Sequence, residues 1–262
     1  MPVPLLADDR LPPFAPTAVR RVTVFGAPAE LVLVPSRKNR PGRAGARRPA
    51  FSAPAAERIV REEAVWRGDG IVLTPNRYPF AAGASLLWPE APSRDPSAEL
   101  WLAAAEWAAR TDGSALRNDV GAAATIARAH LHLTRERQPF LDALPERPFV
   151  APWFDVAGAT LVEKRVPFCL LGVRGAPEQL AVALQRLAEA RLTAAWNVVI
   201  ARGAAWLMPR GLETPAPHFP YALGAAELWG RWCYVDEQPF AAATGDDLER
   251  ALVAAGLAPL ST

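Results

Sequence analysis

Cysteine and histidine are scarce in this 262-residue sequence, which has two cysteines and three histidines. Cys169 and Cys233 lie far apart in apolar runs, and no Cys-x-x-Cys pair exists, which argues against a zinc site built from cysteines. The N-terminal stretch MPVPLLADDRLPPF lacks the basic region of a signal peptide and is interrupted by prolines. We therefore expect both thiols to stay free, because disulfides persist mainly in oxidising compartments.

A surplus of charge and a long apolar run are also missing. The chain carries 29 Lys and Arg against 27 Asp and Glu, a net charge of +2, so its overall charge gives no sign of a nucleic-acid or membrane partner. No apolar run approaches the roughly 20 residues that span a bilayer. With 51% hydrophobic and 21% charged residues, the composition is that of a globular protein. We expect a cytoplasmic protein that binds neither nucleic acid nor membrane.

The short motifs of several enzyme classes are absent. There is no Walker loop, no Gly-x-Gly-x-x-Gly after a strand-like run and no Gly-x-Ser-x-Gly. Neither cysteine has a histidine near it in the sequence. These absences argue against P-loop and Rossmann-type nucleotide binding, and they leave little support for a serine or cysteine nucleophile.

What the chain does contain is a set of short apolar and β-branched runs that alternate with single helices. The predicted strands are residues 20–25, 30–35, 60–67, 71–74, 84–88, 160–166, 168–173, 196–200, 204–208 and 226–235. The predicted helices begin at Asp95-Pro96, at Pro177 and at the capping box Thr244–Asp247. Hairpins that alternate with single helices indicate an α+β protein with an antiparallel sheet.

The expected domain organisation is one compact unit over residues 1–262. Residues 1–17 are predicted to form an irregular arm, because five prolines precede any periodic segment. The second half repeats the style of the first, so two related halves, 60–135 and 150–258, are one interpretation. No internal repeat is strong enough to prove a duplication.

Residues 36–49 (SRKNRPGRAGARRP) form a basic segment without a negative charge. Its cationic residues are Arg37, Lys38, Arg40, Arg43, Arg47 and Arg48. One interpretation is a solvated, partly disordered loop. Another is an anion-binding loop that folds over phosphates, since arginine binds phosphate oxygens bidentately. Nucleic-acid binding is a weaker third interpretation, because one basic loop on a near-neutral chain is a small electrostatic footprint.

Two of the three histidines lie one residue apart, in the stretch NDVGAAATIARAHLHLT (118–134). In an extended strand Arg128, His130, His132 and Thr134 would form one polar row, with leucine and alanine on the opposite face. Such a pair is a structural pair, a pair of metal ligands, or a nucleophile or general base with its neighbour. A metal would need a further ligand, and His218 lies in a proline-rich loop.

Phosphoryl chemistry accounts for several of these features together. A rigid strand with two histidines, a preceding run of small residues and a basic segment suit attack of an imidazole on a phosphorus atom. Such a step depends on stabilising charge around the phosphoryl oxygens more than on acid–base catalysis.

The run N-x-x-G-A-x-A-T-I followed by H-L-H-L, from Asn118 to Leu133, resembles the active-site strand of the histidine-triad (HIT) superfamily. The branch it resembles most is that of the GDP-hexose phosphorylases, with the diadenosine tetraphosphate phosphorylases and galactose-1-phosphate uridylyltransferases as relatives. Residues 76–80 (NRYPF) are similar to the N-K-F-P segment of the uridylyltransferases. Residues 196–200 and 207–210 resemble the C-terminal hairpin of the phosphorylases.

The resemblance implies an α+β, HIT-like antiparallel sheet with flanking helices. It also implies a nucleotidyltransferase or phosphorylase that cleaves an NDP-sugar or dinucleoside polyphosphate through a covalent nucleotidyl-histidine. Phosphate or a sugar phosphate would be the acceptor. By the same resemblance His132 would be the nucleophile and His130 would orient the site.

The residues expected to bind the nucleotide or substrate are Asn76, Arg77, Asn118, Gly121, Thr134, Arg128, Arg37, Lys38 and Arg40. Small side chains at 121–125 would let backbone N–H groups approach the phosphates. The cysteine zinc site of the uridylyltransferases has no counterpart, so no structural metal is expected. The nucleotide is expected to be a substrate and not a cofactor, and it can bind together with Mg²⁺. Both a monomer and a homodimer are left open as oligomeric states.

Two departures from the family pattern leave alternatives open. The family places glutamine or a third histidine two residues after the nucleophile, where this chain has Thr134, whose hydroxyl can donate to a phosphoryl oxygen with a shorter reach. The spacing from Asn118 to His130 is also two residues longer than in the GDP-hexose branch. The alternatives are a nucleotide-binding module without turnover and a metal-dependent hydrolase that uses the histidine pair.

Overall fold

A computed structural model describes residues 1–39, 54–190 and 193–260 of the chain. The strands are β1 (Ala18–Val24), β2 (Ala27–Leu33), β3 (Trp66–Gly68), β4 (Ile71–Pro75), β5 (Ser85–Pro89), β6 (Ser114–Asn118), β7 (Leu131–Thr134), β8 (Glu146–Pro148), β9 (Thr160–Lys164), β10 (Leu171–Arg174), β11 (Trp196–Ala201), β12 (Ala204–Pro209) and β13 (Arg231–Tyr234). The α-helices are α1 (Pro54–Glu62), α2 (Ala98–Thr111), α3 (Phe140–Ala143), α4 (Pro177–Glu189), α5 (Ala225–Trp229), α6 (Glu237–Ala242) and α7 (Gly245–Ala255). Short 3-10 turns lie at Asp8–Arg10 and Pro35–Asn39.

A ten-stranded sheet in the order β3-β4-β5-β7-β6-β11-β12-β10-β9-β8 forms the centre of the described structure. Its neighbouring strands pair antiparallel. A smaller sheet has the order β1-β2-β13, in which β1 and β2 form the predicted antiparallel pair and β13 joins β2 in parallel. The predicted α+β class, with an antiparallel sheet and flanking helices, is confirmed.

The large sheet is built from two halves with the same topology. From its two edges inward the strand orders are β3-β4-β5-β7-β6 and β8-β9-β10-β12-β11. In each half three strands precede one long helix, α2 or α4, and two strands follow it. The halves meet where β6 pairs with β11. This repeat covers residues 66–134 and 146–209, so the residues of the predicted second half beyond Pro209 belong to other layers.

Apolar side chains on both faces of the large sheet are buried under separate layers. On one face α2 and α4 lie side by side, and their core includes Leu100, Leu184 and Leu133. On the other face the small sheet with α3, α5, α6 and α7 covers the second half, around Trp206. The helix α1 covers β4 and β5 on that face through Val60 and its neighbours. The site described below lies on this second face.

Two predicted strands are wrong in part. Residues 60–62 end α1, and β3 begins only at Trp66. Ala225–Trp229 is the helix α5, which ends at Gly230 with a φ of 108°, and β13 begins one residue later. The Glu227 carboxylate accepts a hydrogen bond from the Gly224 N–H at 2.8 Å, which caps the start of this helix. Aromatic and apolar composition therefore concealed a short buried helix next to a strand.

The other boundaries agree with expectation more closely. Helix α2 begins two residues later than predicted, because Ser97 and not Asp95 is its N-cap, with the Ser97 hydroxyl accepting from the Leu100 N–H at 3.3 Å. Helix α4 begins at Pro177, as predicted. Thr244 caps α7 with the predicted capping box. The arm is irregular as predicted, apart from one 3-10 turn, and it packs through buried Val3 and Leu6.

Neither cysteine forms a disulfide, as expected. Cys169 and Cys233 are both buried thiols. Burial, together with the neighbouring Glu163 charge, raises the pKa of the Cys169 thiol to about 12. That thiol is protonated at neutral pH and is a poor nucleophile. Among the described residues no helix is both long and apolar enough to cross a bilayer.

Candidate functional site

His132 lies at the centre of the first half of the sheet. Its strand β7 is held between β5 and β6, where His132 pairs with Leu86 on one side and Leu116 on the other. Leu131 and Leu133 are fully buried in the core under α2 and α4. Since side chains alternate along a strand, the half-buried His132 imidazole points to the opposite face, as the polar row predicted.

The His132 ring is oriented by the segment that follows β4. Asn76 Nδ2 lies 3.4 Å from His132 Nδ1. The Asn76 Oδ1 accepts a hydrogen bond from the Tyr78 N–H at 3.1 Å, which determines the orientation of the amide. Because an amide NH₂ group only donates, Nδ1 accepts, and a neutral ring carries its proton on Nε2. The edge of the Phe80 ring packs on the same imidazole, with 5.7 Å between ring centroids.

His130 forms the wall behind His132. It is buried, and its Nδ1–H donates to the Arg128 carbonyl at 2.8 Å. Its ring stacks on Trp88, with centroids 4.7 Å apart and planes inclined by 30°. The His130 and His132 centroids are 5.2 Å apart in a T-shaped arrangement. The Arg128 carbonyl and the Trp88 ring thus hold His130 in place.

Asn118 takes part in a polar network at the end of β6. Its Oδ1 accepts from Asn197 Nδ2 at 3.0 Å and from the Ala225 N–H at 2.7 Å. Asn197 also donates to the Ala122 carbonyl at 2.9 Å and accepts from the buried Arg210 guanidinium. The Asn118 oxygen therefore joins β6, β11 and α5. The sequence did not assign Asn197 and Arg210 to the site, although both lie in the two segments that resemble the phosphorylase hairpin.

The loop of small residues after β6 contains two residues with a positive φ. Gly121 has a φ of 89° and Ala123 a φ of 72°. The N–H groups of Ala122 and Ala124 donate to the Asp119 carbonyl at 2.9 and 3.1 Å. The Ala123 N–H donates to a Glu213 carboxylate oxygen at 3.0 Å. The Glu213 carboxylate therefore accepts from one of the N–H groups that were expected to approach the phosphates.

Arg128, which was expected to bind the nucleotide or substrate, is held by partners within the chain. Its side chain is fully buried and pairs with Glu57 of α1 at 3.0 Å. It also donates to the carbonyls of Pro89 and Glu90 at 2.7 and 2.8 Å. Residues before Leu131 are not part of β7, so the strand alternation that predicted the polar row does not extend to Arg128.

The remaining predicted basic residues are dispersed around the His132 face. Arg77 is exposed and pairs with Glu63 at 2.9 Å, beside an open cleft of about 530 Å³ whose lining includes no histidine. Arg37 donates to the Tyr78 carbonyl, next to the Asn76 turn. Lys38 pairs with Asp236 at 2.8 Å on the surface. The other cationic residues of the basic segment lie outside the described residues: Arg40, Arg43, Arg47 and Arg48.

Thr134 does not offer its hydroxyl to a phosphate in this structure. The side chain is fully buried. Its Oγ1 donates to the Ala82 carbonyl at 3.0 Å and accepts from the Glu136 N–H at 3.2 Å. A hydroxyl has a single hydrogen to donate, so the expected bond to a phosphoryl oxygen is replaced by a bond to the backbone.

Among the residues that the structure describes, the second half of the sheet has no equivalent site. The two halves are related across one row of paired residues, Leu86–His132–Leu116–Val199–Trp206–Gly172. In that row Trp206 stands where His132 stands in the first half. Its ring is buried, and the Lys164 ammonium lies 4.2 Å from the ring centroid. Among the described residues no group of three or more His, Cys, Asp or Glu side chains could hold a metal ion.

Comparison with known proteins identifies the fold of the chain. No protein-family model and no curated protein sequence matches the chain. Solved structures do match, and they share the HIT-like α+β fold that the resemblance implied. That part of the prediction is confirmed.

One particular protein that the chain resembles is yeast Ap4A phosphorylase Apa2. Its complex with Ap4A matches with a TM-score of 0.72 and 14% identity, over 97% of this chain and 93% of the other. Its complex with AMP matches with a TM-score of 0.70 and 14% identity, over 93% and 89%. At this identity the likeness establishes the fold alone.

Proposed function

We propose that this chain is a nucleotidyltransferase or phosphorylase that acts on a dinucleoside polyphosphate or an NDP-sugar through His132. The supporting observation is the His132 imidazole, which is half-buried at the centre of the first half of the sheet, between Asn76 and His130. The fold is shared with a phosphorylase whose structures contain Ap4A and AMP. One orientable imidazole suits nucleophilic attack better than metal binding, which needs more ligands.

The proposed reaction has two displacement steps at the α-phosphorus. In the first, His132 forms a P–N bond while the bond from that phosphorus to its bridging oxygen breaks, and the remainder of the substrate leaves as a phosphate. In the second, phosphate or a sugar phosphate forms a new P–O bond and the P–N bond to the imidazole breaks. The leaving group of the first step and the acceptor of the second occupy the same side of the site in turn.

The present hydrogen bonds of His132 impose a condition on the first step. Attack through Nε2 requires a lone pair on that nitrogen and hence the proton on Nδ1. Asn76 now donates to Nδ1. Its amide must therefore turn and present Oδ1 to the ring when substrate binds, which breaks the bond from Tyr78 N–H. We expect this change at Asn76 to accompany formation of the covalent adduct.

The same contact favours one alternative, a nucleotide-binding module without turnover. An imidazole with its proton on Nε2 is a donor and binds a phosphoryl oxygen without attacking the phosphorus. The use of the Thr134 hydroxyl by the backbone also removes a donor at the family's third position. Thermal stabilisation by nucleotides without product would support this alternative.

The test is covalent labelling with α-³²P nucleotides. Wild type, His132→Ala and the control His218→Ala are incubated with labelled Ap4A and a panel of NDP-sugars, with Mg²⁺ present, and are separated on denaturing gels. We expect label on wild type and His218→Ala, and neither label nor turnover in His132→Ala with unchanged circular dichroism. Unlabelled wild-type protein across the panel would refute the transferase proposal.

A further inference from the structure

The segment 76–84, between β4 and β5, carries two groups that contact His132. They are the Asn76 amide, 3.4 Å from Nδ1, and the Phe80 ring. Both contacts depend on the path of a backbone that is outside any strand or helix. The positions of Asn76 and Phe80 relative to His132 therefore depend on the contacts that hold this segment in place.

Two side chains beyond His132 on the same stretch of chain bind both backbone polar groups of Ala82. Thr134 Oγ1 donates to the Ala82 carbonyl at 3.0 Å. A carboxylate oxygen of Glu136 accepts from the Ala82 N–H. The Glu136 N–H in turn donates to Thr134 Oγ1 at 3.2 Å. Gly83 follows with a φ of 66°, which lets the chain turn back into β5.

Arg231 of β13 binds both Glu136 and the segment 76–84. Its buried guanidinium lies 2.6 Å from the second carboxylate oxygen of Glu136 and 2.7 Å from Glu30. It also donates to the Phe80 carbonyl at 3.4 Å. Charge-assisted bonds of this kind are shorter and stronger than neutral ones. One arginine thus binds the segment directly at residue 80 and indirectly, through Glu136, at residue 82.

We propose that Thr134, Glu136 and Arg231 act as positioning residues for His132, which they influence through the segment 76–84. Catalytic effects of this arrangement rest on the proposed function, whereas its effect on the His132 ring does not. Thr134 replaces the polar residue that the family places near the phosphates, and here it acts on the backbone that carries Asn76 and Phe80. None of the three needs to touch the substrate.

The first test reads the His132 ring by ¹⁵N-histidine NMR, with His132→Ala used to assign its signals. Thr134→Val removes the hydroxyl and keeps the shape of the side chain, and Thr134→Ser keeps the hydroxyl. Thr111→Val is a matched control, because the Thr111 hydroxyl also donates to a carbonyl, of Trp107 at 2.8 Å, and accepts from the N–H two residues on at 3.2 Å.

We expect Thr134→Val to shift the His132 Nδ1 and Nε2 signals, because the Asn76 donor loses its position. Thr134→Ser should restore them, and Thr111→Val should leave them unchanged. Glu136→Gln, which weakens the contact with Arg231, provides a second variant if Thr134→Val does not fold. Unchanged His132 signals in both Thr134→Val and Glu136→Gln would overturn the proposal.

The second test measures turnover with whichever nucleotide labels the wild type. Since a displacement of about 1 Å can cost about a hundredfold in rate, we expect kcat of Thr134→Val to fall by roughly tenfold or more with little change in KM. Thr134→Ser should recover most of that loss. A rise in KM alone would contradict positioning and would indicate direct substrate contact. If the wild type shows no turnover, the proposed function fails and the NMR test still decides the positioning role.

Discussion

Asn118 provides the sharpest distinction between a structural residue and a phosphate ligand. Replacing it with alanine removes the acceptor for the Ala225 N–H, at 2.7 Å, and for one hydrogen of Asn197 Nδ2, at 3.0 Å. Each buried donor left without an acceptor costs about 1–3 kcal/mol, and the half-buried position of Asn118 favours the lower end. Asn197 keeps its bond to Ala122. We expect a loss of about 2 to 3 kcal/mol in the free energy of unfolding, or roughly 5 to 10 °C in Tm.

Thermal and urea unfolding of Asn118→Ala measure this loss directly. Asn118→Asp keeps an acceptor oxygen, so its loss of stability should be less than half of the loss in Asn118→Ala. Gln185→Ala, at a partly exposed amide whose Nε2 donates to Glu189 at 3.3 Å, is the control and should stay within about 0.5 kcal/mol of wild type. An Asn118→Ala protein as stable as this control, with weakened nucleotide binding, would refute the structural role and restore the phosphate-ligand interpretation.

Two further predictions concern packing and pH. A methyl group at Gly172 would collide with the buried Trp206 ring. Gly172→Ala should therefore lower the free energy of unfolding, measured in urea, by about 1–3 kcal/mol. A variant as stable as wild type would show that the ring can move. Burial alone would raise the pKa of Glu30, but the hydrogen bonds and charge of Arg231 outweigh it, so the pKa lies below its ordinary value of 4.5. The pair therefore stabilises the protein above that value and loses its effect as the pH falls through the lowered pKa. Glu30→Gln should be less stable than wild type near neutral pH, and the difference should shrink below about pH 4; a constant difference would contradict the linkage.

The central histidine strand was predictable because its signal is local. The alternation of Leu131, His132 and Leu133 follows from strand geometry, and the structure shows the leucines in the core and His132 on the opposite face. Turn and cap signals were equally local. The hairpin of β11 and β12 and the capping box at Thr244 occur as predicted.

The partners of the polar residues near that strand were not predictable in the same way. Arg128 lies near His130 in sequence, yet its guanidinium is bound by Glu57 and by two carbonyls some 40 residues away in the chain. The Thr134 hydroxyl is bound to Ala82. A motif reveals which residue type is present but not which backbone group will lie nearest to it after folding.

By itself, the sequence determined the fold class, the strand that presents His132 and the resemblance to a phosphate-transferring family. These depend on periodicity and on short motifs, which act over a few residues. Only the tertiary structure decided that Trp206 closes the equivalent position of the second half, and that Thr134, Glu136 and Arg231 meet around the segment 76–84. Those contacts join residues distant in the chain, because a buried donor or charge takes whatever partner the packed layers bring within reach.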